Sequence, residues 1–244
     1  MATVALVGLW FGGVFFWILC ALLGLIMIGE WADLDGAPPT AKRLARFALV
    51  APLAIMTPPP FAAGAGFLAL GLVAAAFFFV VIITRRPMLA AGELYVGLPI
   101  LALLLIRHQK EGVVFTLWTL ALVWTCDIGA YFAGRFIGGP KLAPGISPNK
   151  TWAGLIGGVA LASIFGAAMH YYLGLPWRLT LATPVLAVLS QAGDLFESWL
   201  KRRAGVKDSG VILPGHGGIL DRLDGLVPVA PLAALLVILP KFYR

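Results

Sequence analysis

Asp221 and Asp224 stand three residues apart, just after the stretch Pro214-Gly215-His216-Gly217-Gly218 and just before Gly225. On a helix that spacing places both carboxylates on one face, where hard oxygens can hold Mg²⁺ beside a substrate phosphate. The glycines allow backbone N–H groups to approach a ligand closely. Upstream lie Lys201, Arg202, Arg203 and Lys207, followed by Asp208 and Ser209. A charge run is usually a solvated face; this one also carries a turn and paired carboxylates. His216 is the histidine with polar company, suited to a base or to a phosphate contact. His108 and His170 have no such neighbours, and no role is assigned to them.

A second group sits inside apolar sequence, where a charged side chain costs at least about 2.5–3.5 kcal/mol at a membrane-helix centre. Asp194 and Glu197 share a helix face, with Lys201 one turn beyond. Asp127 follows the apolar run 113–126 and precedes Gly129-Ala130-Tyr131, with Gly134 and Arg135 after it. Glu93 has nothing polar around it and reads as a buried packing carboxylate. Lys141 to Thr151 form a polar loop containing Ser147, Pro148, Asn149 and Lys150, and a helix is expected from residue 152. Two readings of it stand: a phosphate site at a helix N-terminus, or a Ser/Thr cap with lysines that set topology.

The elements that must position these groups are membrane helices. Of 244 residues, 61% are hydrophobic and 12% charged, against about 45–50% and about 25% in soluble domains. That leaves too little polar surface for a water-soluble globule, and it excludes disordered, collagen-like and disulfide-framework classes. Cys20 and Cys126 both lie in apolar runs, which argues against a disulfide or a thiolate metal site. The net charge of +7 is spread between apolar stretches, which favours lipid headgroups, topology or an anionic substrate over nucleic acid.

A membrane helix needs about 20 apolar residues. The apolar runs are 2–29, 44–57, 61–84, 88–106, 113–133, 152–174, 179–200 and 226–240. The expectation is an all-α polytopic integral membrane protein with about eight transmembrane segments, within a range of seven to nine. The pair Gly12-Gly13 can split the first run, which reads as a retained span rather than a cleaved leader. The 44–57 run is short and ends in three prolines, so a tilted or partly inserted segment is expected. No soluble domain or internal repeat is evident: residues 1–244 read as one membrane-embedded domain, with N-terminal helices in 1–112 and a catalytic region in 113–240. If all eight runs cross, 13 of the 18 basic residues fall on one side, as do both long polar loops, 134–151 and 201–225. The positive-inside rule puts that side in the cytoplasm.

The segment Ser198 to Asp224 resembles the signature of the CDP-diacylglycerol synthases, the phosphatidate cytidylyltransferases. Ser198, Lys201, Arg202, Lys207, Asp208, His216, Gly217, Gly218, Asp221, Arg222 and Asp224 fill its eleven fixed positions. Asp127-Ile-Gly-Ala-Tyr131, Ile146-Ser-Pro-Asn-Lys150-Thr151 and Gly193-Asp194-Leu-Phe-Glu197-Ser198 resemble other blocks of that family. The likeness covers residues 120 to 230; the first hundred residues share only hydropathy and Glu30-Trp31. Ala153 stands where many members have an acidic residue, so no role is carried over there. Residues 2–12 look like the end of a span whose start is missing.

The resemblance implies transfer of a cytidylyl group from CTP to phosphatidate, giving CDP-diacylglycerol and pyrophosphate in phospholipid biosynthesis. Mg²⁺ is the implied cofactor, with a monovalent cation as a further candidate. Asp221, Asp194, Asp127 and Asp224 are the expected metal carboxylates, and Lys201, Lys207 and His216 join Asp221, Asp224 and Asp194 as catalytic candidates. Ser147, Lys150, Thr151, Arg202, Asp208, Gly217, Gly218 and Arg222 are the expected substrate contacts. A homodimer in the bacterial inner membrane, with its site facing the cytoplasm, is also implied. The competing reading is a transporter of a divalent cation or a phosphorylated anion. Against it stand the lack of an inverted repeat and the concentration of polar groups in loops.

Overall fold

The computed structural model describes residues 2–210 and 217–239. The elements, in chain order, begin with helices α1 (Ala2–Phe11), α2 (Gly13–Leu34), α3 (Pro39–Ile55), α4 (Phe67–Thr84), α5 (Pro87–Arg107) and α6 (Gly112–Phe136). Strands β1 (Lys141–Ala143) and β2 (Ser147–Thr151) follow, then α7 (Trp152–Leu173) and α8 (Trp177–Arg203). A single turn, α9 (Leu220–Leu223), and α10 (Leu226–Ile238) are the last of the described elements. Among the described residues six helices are long and apolar enough to cross a membrane: α2, α4, α5, α6, α7 and α8. The architecture is an all-α polytopic membrane protein.

All eight expected apolar runs carry helix. Three of those helices are too short to qualify as spans by length, the first being the 10-residue α1. Helix α3 has 17 residues, about 26 Å at 1.5 Å per residue, and carries Lys42, Arg43 and Arg46 in its first half. Helix α10 has 13. The expected span 61–84 starts late, at Phe67, because Pro58-Pro59-Pro60 and Gly64 hold the preceding residues in turns.

The chain divides into two compact units, the first formed by Met1–Gln109 with Ala204–Leu223. Its centre is α5, 72% of whose apolar window is buried, whereas α4 is only 22% buried. A helix that apolar and that open, with Phe78, Ile82 and Ile83 exposed, presents its side chains to lipid. The Trp31 indole N–H donates to the Met88 carbonyl at 2.8 Å, and that of Trp17 to Leu53 at 2.8 Å, tying α2 to the start of α5 and the end of α3. The loops are held by Lys42 on Asp33 and by Arg86 on Asp35 at 2.9 Å. The first run does break at Gly12, whose φ is +60°. There the Arg107 guanidinium occupies the space of a Cβ, and its Nε donates to the Leu9 carbonyl at 3.1 Å.

The second unit comprises Lys110–Arg203 and Asp224–Arg244. Helices α6 and α7 approach closely because their contact is made of glycines: a Cβ on Gly129 would lie 2.7 Å from the Gly157 carbonyl, and one on Gly158 2.7 Å from that of Cys126. Between them the loop expected over 134–151 contains an antiparallel hairpin, Lys141 pairing with Thr151 and Ala143 with Ser147. Helix α8 packs on α7, α6 and α10, and the buried Trp118 indole on α6 donates to Thr183 on α8 at 3.0 Å.

Candidate active site

In the second unit, four elements bring together polar groups from across the sequence. Helix α6 contributes Asp127, strand β2 Lys150, helix α8 Gln191 and Asp194, and the residue two before α10 is Asp224. The Lys150 ammonium lies 2.6 Å from Asp194 Oδ2 and donates to Gln191 Oε1 at 3.0 Å. Gln191 Nε2 donates to Asp127 Oδ1 at 3.0 Å. Ser198, one turn after Asp194, donates to its Oδ1 at 3.3 Å. Burial, reinforced by the charge of Asp194, pushes the Asp224 carboxyl up to about 7. The Gly225 N–H, 2.7 Å away, pulls it back down, Asp127 adds to the rise and Lys150 opposes it. Three carboxylates are thus near enough to repel one another, with one lysine among them.

Beside this cluster opens a cavity of about 600 Å³, lined by Asp127, Lys150, Gln191 and Asp194 together with Tyr131 and Arg135. The volume suits a small-molecule ligand. The Arg135 guanidinium donates to the Tyr131 hydroxyl at 2.7 Å and so stays at the wall. Thr151 caps α7, its hydroxyl accepting from the Gly154 N–H at 3.0 Å. Of the two readings of this loop, the cap is therefore present, but Lys150 does more than set topology, because it reaches Asp194. Lys201 pairs with the fully buried Glu197 at 3.2 Å. Arg202 reaches the Ile146 carbonyl at 3.5 Å, on the hairpin turn just before Ser147.

The first unit holds the glycine-rich turn. Asp221 Oδ2 accepts from the Ser209 N–H at 2.9 Å, the Ser209 hydroxyl at 2.9 Å and the Gly218 N–H at 2.8 Å. The carboxylate of Glu30, at the end of α2, accepts from Ile219 N–H at 2.9 Å and Leu220 N–H at 2.7 Å, which caps α9. Gly218 cannot be larger, since a Cβ would collide with Ser209 Oγ and the Glu30 carboxylate. Its amide, expected to meet a ligand, is spent on Asp221. Gly217 takes a φ of +79°, the left-handed conformation that favours glycine. Lys207, Asp208 and Arg222 are exposed. His216 lies outside the described residues.

One expectation is corrected. Asp221 and Asp224 do not share a helix face, because α9 ends at Leu223. Asp221 and Glu30 hold its single turn by their hydrogen bonds, and Asp224 stands in the turn before α10. Two residues escaped the sequence reading. Glu30 was visible as the end of an uncharged run and as part of the Glu30-Trp31 pair, neither of which shows its role, and Gln191 carries no charge to draw notice; its one signal was its place one turn before Asp194.

Among the described residues no three His, Cys, Asp or Glu side chains are close enough to hold a metal ion by themselves. Mg²⁺ does not require such a set: it is commonly held by one or two carboxylates plus substrate phosphates. The mutual repulsion of Asp127, Asp194 and Asp224 is what a bound cation would relieve, and Asp127 Oδ2 takes no hydrogen bond from the described residues. Hard oxygen donors beside an open cavity fit that ion.

A protein from Brucella suis named phosphatidate cytidylyltransferase is 41% identical over 241 residues, covering 96% of this chain and 88% of that protein. One of the same name from Staphylococcus epidermidis is 47% identical over 133 residues, 53% of this chain and 51% of that protein. The family model described as the cytidylyltransferase family matches residues 1–239. The chain belongs to the cytidylyltransferase family.

Proposed function

We propose that this protein transfers the cytidylyl group of CTP to phosphatidate, yielding CDP-diacylglycerol and pyrophosphate. The observation that carries this reading is the Lys150–Asp194 pair, linked through Gln191 to Asp127 beside an open cavity. It lies at three of the blocks that resemble the family. The names of the relatives support the choice of substrates.

In this reaction a phosphate oxygen of phosphatidate bonds to the α-phosphorus of CTP, and the bond from that phosphorus to the bridging oxygen of the pyrophosphate breaks. The nucleophile is already anionic at neutral pH, so no activated Ser or Cys is needed. Catalysis rests on positioning and on balancing negative charge. Lys150 supplies a cation at the cavity wall for a triphosphate oxygen. Asp127, Asp194 and Asp224 are the carboxylates from which we draw the Mg²⁺ ligands, one or two of them sharing the ion with substrate phosphates. When bound, the ion would neutralise phosphate charge and favour pyrophosphate departure. Within the first unit, Asp221 and Glu30 hold the turn that presents Lys207 and Arg222 to solvent, where phosphates can meet them. We place the protein in the bacterial inner membrane, with loops 134–151 and 201–225 in the cytoplasm, on the basis of their positive charge.

The test is an assay of purified protein in detergent with CTP and phosphatidate. CDP-diacylglycerol should appear with Mg²⁺ present, stop on addition of EDTA and return with excess Mg²⁺. Undiminished turnover in a metal-free preparation would strip the three carboxylates of their metal-holding role, and absence of any product would remove the reaction.

A further inference from the structure

Gln191 is 5% exposed and, among the described residues, is the neutral side chain that touches both signs of charge in the second unit's cluster. Its Oε1 accepts from Lys150 Nζ at 3.0 Å and its Nε2 donates to Asp127 Oδ1 at 3.0 Å. Its backbone carbonyl is 3.4 Å from the same ammonium, and its Nε2 is 3.7 Å from Cys126 Sγ. Chemistry fixes the direction of the amide. Turned over, it would set N–H groups against an ammonium and an oxygen against a carboxylate. Lys150 and Asp127 are thereby held one amide apart.

We propose that Gln191 is a positioning residue: it holds the Lys150 ammonium and the Asp127 carboxylate at fixed separate places, so that the first can meet the triphosphate and the second the cation. The proposal rests on the cytidylyl-transfer reading. It follows from three elements meeting at one side chain. Lys150 arrives on a hairpin strand, Asp127 on α6, and Gln191 on α8 itself, one turn before Asp194. Without the amide, Lys150 retains Asp194 at 2.6 Å and nothing described holds Asp127 in place. A lysine free to slide between two carboxylates would cancel the charge needed for a cation and withdraw its own charge from the phosphates.

A purely space-filling role predicts something different, and two substitutions separate the two. Gln191→Glu is isosteric and keeps an acceptor for Lys150, but puts a carboxylate oxygen where Asp127 had a donor. Gln191→Met keeps the length and loses both hydrogen bonds. Positioning predicts that Glu is the worse of the two. Turnover at saturating phosphatidate should fall at least about tenfold with Met and further with Glu, while the KM for phosphatidate stays near wild type. The melting temperature in detergent should shift by only a few degrees. Near-wild-type activity of Gln191→Glu, or losses that track the melting temperature in both variants, would overturn the proposal.

A double-mutant cycle measures the coupling directly. If Gln191 acts through Lys150, Gln191→Met should cost less than about threefold in the Lys150→Ala background, because coupled residues are not additive. Losses that multiply would overturn it. Wild-type protein that makes no CDP-diacylglycerol overturns the reaction instead, and an active wild type with silent Gln191 variants overturns the positioning role alone.

Discussion

Glu30 receives two backbone N–H groups from a turn 189 and 190 residues later in the chain. A carboxylate serves both; a carboxamide has one acceptor and turns an N–H toward the other donor. Leaving a buried donor unmatched costs about 1–3 kcal/mol. Glu30→Gln should therefore lower the melting temperature in detergent by several degrees, with Glu30→Asp falling short of the turn and no better. A variant melting with wild type would show that the capping is dispensable. Asp224 gives the second residue-scale expectation. Its native carboxyl sits up at about 7, above the ordinary value of about 3.9, so the native state holds that proton more tightly than the unfolded chain does. The stability this group contributes is complete below about pH 4 and is lost as pH rises to about 7. In EDTA, melting temperature against pH should fall across that window for wild type and flatten for Asp224→Asn; parallel curves would contradict the assignment. Asp127 and Asp194 were legible in the sequence because ionisable groups in apolar runs must be compensated, and Lys150 because it stands in a polar loop just before a helix N-terminus. Glu30 was not, because spacing along a chain carries no sign of a partner so distant, and Gln191 was not, because its two bonds are made with neutral chemistry.

The helices were legible for a simple reason: each buries its backbone internally and shows apolar side chains to lipid, so composition alone marks it. What composition leaves open is how closely two helices approach. The α6–α7 contact depends on Gly129, Gly157 and Gly158, where a Cβ would strike backbone atoms or Ala133. Backbone cannot move aside as a flexible side chain can. Gly158→Leu should thus force α6 and α7 apart, destabilise the protein by at least about 1–3 kcal/mol and dislocate Asp127 from Lys150, so that activity falls further than stability alone explains. Activity and melting temperature measured together will test this; a Leu variant that is stable and active would mean the seam has slack. The hairpin at 141–151 was missed for a related reason. Only three and five residues long, its strands lack an alternating pattern, and they are fixed by the Thr151 cap and by the Arg202 contact with Ile146. The break at Gly12 was readable from two adjacent glycines, but its filling by Arg107 was not.

At the scale of the molecule, sidedness is the property most open to measurement. Lys141 in the hairpin and Arg178 at the start of α8 are both exposed, and α7 is the one candidate span between them. With Cys20 and Cys126 replaced by serine, single cysteines at these positions should behave oppositely in intact cells. An impermeant maleimide should label Arg178→Cys at once and Lys141→Cys only after the membrane is opened. The reverse pattern would cut the proposed site off from cytoplasmic CTP. The division into units carries a consequence of another kind. The first unit takes in residues 1–109 but is completed by 204–223, which a ribosome makes only after residues 110–203. During that interval the Glu30 carboxylate of α2 waits for the amides of Ile219 and Leu220. The last cytidylyltransferase loop to be synthesised is thus the latch on the first helices to be inserted. A chain cut short before residue 219 is impaired at its beginning as well as at its end, so the integrity of the C-terminal turn is reported by the stability of helices translated long before it.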